Sequence, residues 1–414
     1  MRNATVLPKV IVALLVLSHT PAYACLNDRD SDALAIQAKR LPIMAPALTR
    51  ETPDIPGIVE VITGRFPRNP SLYYSLRIER CQLLLAANPN QLALYDDISV
   101  AYDKLGKSGE ALSWIEKKRP RIPAHNTEAL YRYFANAGTF RAHRWLREGA
   151  KDERIKELEQ ARDEIAEAVR LKPDAHFGRE AAQLQAMDWI LHERNKQSLA
   201  YFVNQSAGSG SLRVSARLTN TPDKTLLALA GLVVLGNAWE SVDVFGALAG
   251  QLNRRGDAKV AYLAELRCRE LLRAGKESLF EGVKFPNPSR GSGPSYLITP
   301  GARHWLGITN KDNVTSKFNE LRTDAESWQA ARTAFMEARL KAGRHPDTDL
   351  HFWDGYQDSP APSLDIPWQK EASENFNNFL ARVVYFAPTL LLLGIPSLIG
   401  LIKLARFLMR RRAR

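Results

Sequence analysis

The sequence predicts an all-α chain of antiparallel helix pairs, closed by one C-terminal transmembrane helix. Three observations predict it. Between residues 71 and 200, six segments carry apolar residues at three- and four-residue spacing, the period of a helix with one buried face. Short connectors with Pro, Gly or Asn separate them, and helices joined by short loops lie antiparallel. From Val383 to Ile402 the chain runs 20 residues without a charged side chain, about the length a helix needs to cross a hydrocarbon core.

Residues 1–24 read as a secretory signal peptide: Arg2 and Lys9, the apolar stretch Val10–Leu17, then Ala22-Tyr23-Ala24. Cys25 follows directly and is a candidate for lipidation, although Ala22 and Tyr23 depart from the pattern acylation signals prefer. Residues 25–57 are an N-terminal helical or extended segment. The helical domain covers 58–283, with helices expected near 71–87, 92–105, 108–118, 126–148, 151–171 and 176–200. Asn204–Ser211 reads as a flexible linker or long loop, and the alternation from Leu212 to Leu218 predicts one strand. Thr225–Trp239, an uncharged run of 15, is short for a membrane span and fits a buried helix or packing seam. Gly231 and Gly236 would allow close approach there.

Residues 284–301, rich in Pro and Gly, mark a linker and domain boundary. A helical segment follows over 302–342, with a polar amphipathic helix or pair from Asn313. Residues 343–381 read as an extended stalk toward the membrane, 382–403 as the transmembrane helix and 404–414 as a basic cytoplasmic tail. Lys and Arg bias retention on the cytoplasmic side, so the large N-terminal part is exported, into the periplasm of a Gram-negative bacterium. Asn313-Val314-Thr315 is a glycosylation acceptor if the host is eukaryotic.

The net charge of +12 suggests nucleic acid until it is divided along the chain. Two basic residues lie in 1–24 and seven from Arg382 onward. That leaves 48 of the 57 Lys and Arg against all 45 Asp and Glu in 25–381, a net charge of +3. The basicity belongs to topology, and no nucleic-acid partner is expected. Three cysteines, Cys25, Cys81 and Cys268, are too few for a disulfide framework. Cys81 and Cys268 are either a pair or two buried free thiols.

Pro89 and Pro123 stand 34 positions apart. Around that period, Tyr95, Ile98, Ser99 and Tyr102 give aromatic, aliphatic, small and aromatic positions of a first helix. Gly106 falls in the turn, Ala111 at a close helix contact, Ile115 at a large apolar site and Pro123 at the terminator. Ala161, Ile165, Ala168 and Pro173 repeat the second half. Phe245, Leu248, Ala249, Leu252, Gly256 and Ala261 repeat the first helix and turn. In this pattern residues 58–275 resemble the tetratricopeptide repeat (TPR) family. Three positions depart from it: Arg77 and Lys118 stand where a small residue is usual, and Glu265 where an apolar one is.

The resemblance implies an α-solenoid, because a lone pair leaves one face uncovered and such units stack in arrays. It further implies a concave surface lined by first helices that takes a protein or peptide. On that surface would lie Ala93, Asp96, Asp97, Val100, Asp103 and Lys104, and later Asp243, Asn253 and Arg254. Mostly acidic, it does not fit the clamp with which some of these proteins grip a C-terminal carboxylate.

For chemistry, the densest set of potential ligands is His345, Asp347, Asp349, His351, Asp354 and Asp358, in no spacing that fits a metal loop or helix. No Gly-x-Ser-x-Gly, phosphate loop or His-Glu-x-x-His motif occurs, so no cofactor and no catalytic residue is expected. The expected function is a membrane-anchored scaffold for protein–protein interaction. The alternative is a helical envelope hydrolase or lyase using carboxylates or His345 and His351.

Overall fold

The computed structural model describes residues 26–30, 57–173, 175–206, 222–280, 311–360, 362 and 364. Among these, every long regular element is an α-helix. They are α1 (Ile58–Thr63), α2 (Ser71–Ala87), α3 (Leu92–Lys104), α4 (Ser108–Lys118), α5 (Thr127–Arg147) and α6 (Ile155–Leu171). Then follow α7 (Arg179–His192), α8 (Leu199–Ser206), α9 (Pro222–Val234), α10 (Val242–Arg255), α11 (Ala258–Arg273) and α12 (Lys311–Lys341). The expected signal peptide, Cys25, the expected strand at 212–218, the expected linker at 284–301, and the expected transmembrane helix and basic tail lie outside the described residues. No described helix is long and apolar enough to cross a membrane.

The boundaries have local causes. Pro70 precedes α2 and Asn88 ends it. At the start of α5 the Asn126 side chain accepts the Ala129 amide, and Ser241 does the same for Val244 at α10. Gly106 and Gly256 end α3 and α10 with φ of +79° and +97°, a region open to glycine at little cost. The segment expected at 176–200 is instead a short 3-10 turn, α7, and a turn leading into α8. Gly178 at φ +81° breaks it at one end. At the other, the polar run Glu193–Gln197 turns back so that Gln197 accepts the Trp189 indole N–H at 2.7 Å.

Each helix from α2 to α7 packs on the next, and α3 also touches α5. The small and large positions read from the repeat spacing lie at these contacts. Ile98, Ser99, Ala111, Ile115, Ala161, Ile165 and Ala168 are all fully buried. Between α5 and α6 the backbones come close at Gly138, where a Cβ would lie 2.7 Å from the Ala161 carbonyl oxygen. The first ten residues of the uncharged run lie in α9, which buries Leu226, Leu229 and Val233, and the rest turns toward α10; a Cβ on Gly231 would meet the Arg179 side chain at 3.3 Å. Helices α8, α9 and α11 surround α10, and α1 lies against α9 and α11.

Helix α12 is one 31-residue helix. It buries Val314, Phe318, Leu321, Ala325, Trp328, Met336 and Leu340, a stripe at helical spacing, against α1, α2 and α11. The segment after it corrects the stalk expectation: 344–356 does not extend away but folds back on α2 and α12. Phe352 is buried with Met336 and Leu340, and the His345 ring stacks on Tyr73 with centroids 4.7 Å apart. Apolar burial and a partner for Arg77 outweigh the solvation of this acidic run. Cys81 and Cys268 are buried free thiols in different apolar clusters, and burial pushes the Cys81 thiol up to about 11.

Candidate peptide-binding groove

One face of α3 carries Asp96, Asp97, Val100 and Asp103, at the spacing that repeats along a helix. All four are buried, so the presentation to solvent expected for Asp96, Asp97, Val100 and Asp103 is corrected: neighbouring elements cover this face. Arg77 of α2 and Asn136 of α5 flank it, and residues Leu26–Asp30 occupy the space between. Leu26 joins the apolar cluster of Val100, Leu112, Ile115 and Phe140.

The polar contacts to this segment are specific. Asn136 Oδ1 accepts the Asn27 amide at 2.8 Å, and Asn136 Nδ2 donates to the Asn27 carbonyl at 3.4 Å. Two residues on, Asp97 accepts the Arg29 amide at 3.1 Å and its guanidinium at 2.6 and 3.0 Å. Arg77, fully buried, reaches Asp28 at 3.2 Å and Asp30 at 2.8 Å. The same guanidinium holds Asp347 at 2.6 Å, which docks the segment after α12.

Beneath the groove, Lys118 of α4 donates to both Asp96 oxygens at 2.7 Å, and Asn136 donates to one of them at 3.1 Å. Burial pushes the Asp96 carboxyl up and the Lys118 ammonium down. Removing two charges from water opposes their ionisation more than their attraction supports it.

At the end of α3, Asp103 accepts from His143 at 2.7 Å, from Arg147 at 2.6 Å and from Asn237 at 3.2 Å. Burial would raise this carboxyl, but His143 and Arg147 together hold it down at about 2. His143 Nε2 also faces the Gly236 carbonyl at 3.0 Å, and Lys104 reaches Asn237 Oδ1 at 2.6 Å. These bonds fasten α3 and α5 to the turn between α9 and α10.

The remaining predicted residues sit elsewhere. Asp243 is buried on α10 and accepts from the Leu279 amide at 2.8 Å, with burial raising it to about 6. Asn253 is half-buried, while the exposed Arg254 reaches Asn204 at 3.3 Å. The histidines of the 345–358 run separate: His345 is buried against the Tyr73 carbonyl, and the exposed His351 pairs with Asp354. Among the described residues no group of three or more His, Cys, Asp or Glu converges as metal ligands would.

Arg77, Asn136 and Lys118 contact this face or the segment on it and are not among the candidate site residues read from the sequence. For Arg77 and Lys118 the signal was present, since each breaks the repeat pattern with a cation. Asn136 carries none. Compared with known protein families, characterised proteins and solved structures, the chain matches none.

Proposed function

We propose that this chain is a membrane-anchored scaffold whose stacked, TPR-like helix pairs form a solenoid that holds a segment of another protein. The observation that carries the reading is the pair of bonds between Asn136 and the main chain of Asn27. A carboxamide that accepts from a backbone N–H and donates to the C=O of the same residue reads polypeptide as such, whatever its side chain. The charged groups around it then select sequence. Residues 1–24 export the helical part, and 382–403 anchor it with the basic tail in the cytoplasm, so the groove works at the outer face of the membrane. Anchoring concentrates it there.

The test is chemical crosslinking of the protein in its native membrane, followed by identification of what co-purifies. The expected result is a second protein crosslinked to residues of α2, α3 or α5. Crosslinks confined to other surfaces, or to no protein, would contradict the reading.

A further inference from the structure

We infer that Leu26–Asp30 is an exchangeable plug: an internal copy of the ligand, seated in the groove until a partner segment of the same chemistry displaces it. The inference rests on the proposed scaffold role and names its ligand class, a protein segment with the order apolar, amide, acid, base, acid.

Every position of the plug meets a matching group. Leu26 enters the apolar cluster around Val100, and the Asn27 main chain meets Asn136. Asp28 and Asp30 face Arg77, and Arg29 faces Asp97 with three hydrogen bonds. The groove itself is built from elements that hold together by other contacts. When the plug leaves, Arg77 keeps Asp347 at 2.6 Å, and Asp96 keeps Lys118 at 2.7 Å. What opens is the Asp97 carboxylate, the Asn136 carboxamide and one side of Arg77. These are recognition groups for an incoming chain, and their charges are opposite to those of the ligand they select. A covalently attached occupant competes at high effective concentration, which is why it holds the site at rest.

The experiment uses the full chain, with a specific-protease site placed in residues 31–56 so that folding precedes the cut. The probe is a fluorescein-labelled peptide of residues 26–34, Leu-Asn-Asp-Arg-Asp-Ser-Asp-Ala-Leu. Fluorescence anisotropy should show the cut protein binding it about tenfold or more tightly than the uncut protein, because the tethered competitor is gone. A peptide with Arg29→Glu should lose about tenfold or more, the scale of charge-assisted bonds, and needs no change in the protein. Equal binding by cut and uncut protein, a cut segment that never exchanges, or indifference to Arg29→Glu would overturn the inference. If peptide exchange fails while crosslinking finds a partner on α2, α3 or α5, the plug is wrong and the scaffold reading stands. If the peptide exchanges but no partner is found, the segment is displaceable and the scaffold reading is contradicted.

Discussion

Lys118 and Asp96 form an ion pair with no exposure to solvent, the ammonium 2.7 Å from both carboxylate oxygens across the α3–α4 contact. A repeat pattern asks for a small residue at 118. A long cation fits there because the facing helix supplies an acid at the position expected to face outward. The pair and the departure explain each other.

Lys118→Met should therefore be severe. It leaves Asp96 buried with Asn136 as its remaining side-chain hydrogen-bond partner, a loss of about 3–5 kcal/mol for a broken buried pair. Adding Asp96→Asn should recover a substantial part, because the orphaned charge is removed. Urea midpoints of the two variants and the parent check this. A double variant as unstable as the single one would show that the pair is not the cause.

Arg77→Lys tests the buried hub. A guanidinium forks to Asp28, Asp30 and Asp347 at once, and an ammonium is a single point charge. Hydrogen exchange should rise together at amides 27–30 and 345–349, two stretches far apart in sequence, with little change in α6 to α11. Faster exchange in only one stretch would deny that Arg77 joins them.

Two glycines should behave differently. At Gly138 an added Cβ would meet the Ala161 carbonyl oxygen at 2.7 Å and Ile165 Cγ1 at 2.8 Å. Gly138→Ala should cost about 1–3 kcal/mol of overpacking, set against about 1 kcal/mol of helix propensity gained. At Gly106 nothing lies within 4 Å and only the φ of +79° resists substitution. Gly106→Asn should thus be tolerated better than Gly106→Val, as asparagine visits this region more readily. Thermal melts of the three variants give the comparison.

Acid should loosen the junction between α3, α5 and the 235–237 turn. Asp103 titrates at about 2 in the fold against 3.8 when unperturbed, so the unfolded chain binds its proton first. Its contribution is complete above pH 4 and is lost as pH falls through 2, an effect of about 2 kcal/mol. Asp103→Asn should flatten this part of the stability–pH curve. An unchanged acid limb would place the sensitivity elsewhere.

Topology is separately testable. Protease added outside spheroplasts should digest the large domain and spare the Arg-rich tail; protection of the domain would reverse the proposed orientation.

Much of the fold was legible because it is local. The helices at 71–87 and 108–118 end where apolar spacing and connectors put their limits, and Gly106 and Gly256 stand in the turns assigned to them. The buried positions Ser99, Ala111, Ile115, Ala161 and Ala168 follow from the same period. What escaped is non-local. Arg77 meets Asp347 across 270 positions, and nothing in either neighbourhood names the other. Glu265, read as a break in the pattern, is buried and paired with Arg269 one turn away. Asp96 and Asp103 were assigned to an open face because spacing tells which residues share a side of α3, not what lies on it. In 344–356, composition marks the run as polar, and its buried partners make it a packed element.

Everything functional depends on the occupant of the groove, so the most direct measurement is a photo-reactive residue at position 69 of the full chain, where the Asn69 side chain reaches Asp30 at 3.5 Å. Irradiation and mass spectrometry should recover adducts with residues 26–30 in the resting protein, suppressed by excess peptide of that sequence. Adducts absent from 26–30, or unaffected by the peptide, would contradict a groove that binds polypeptide.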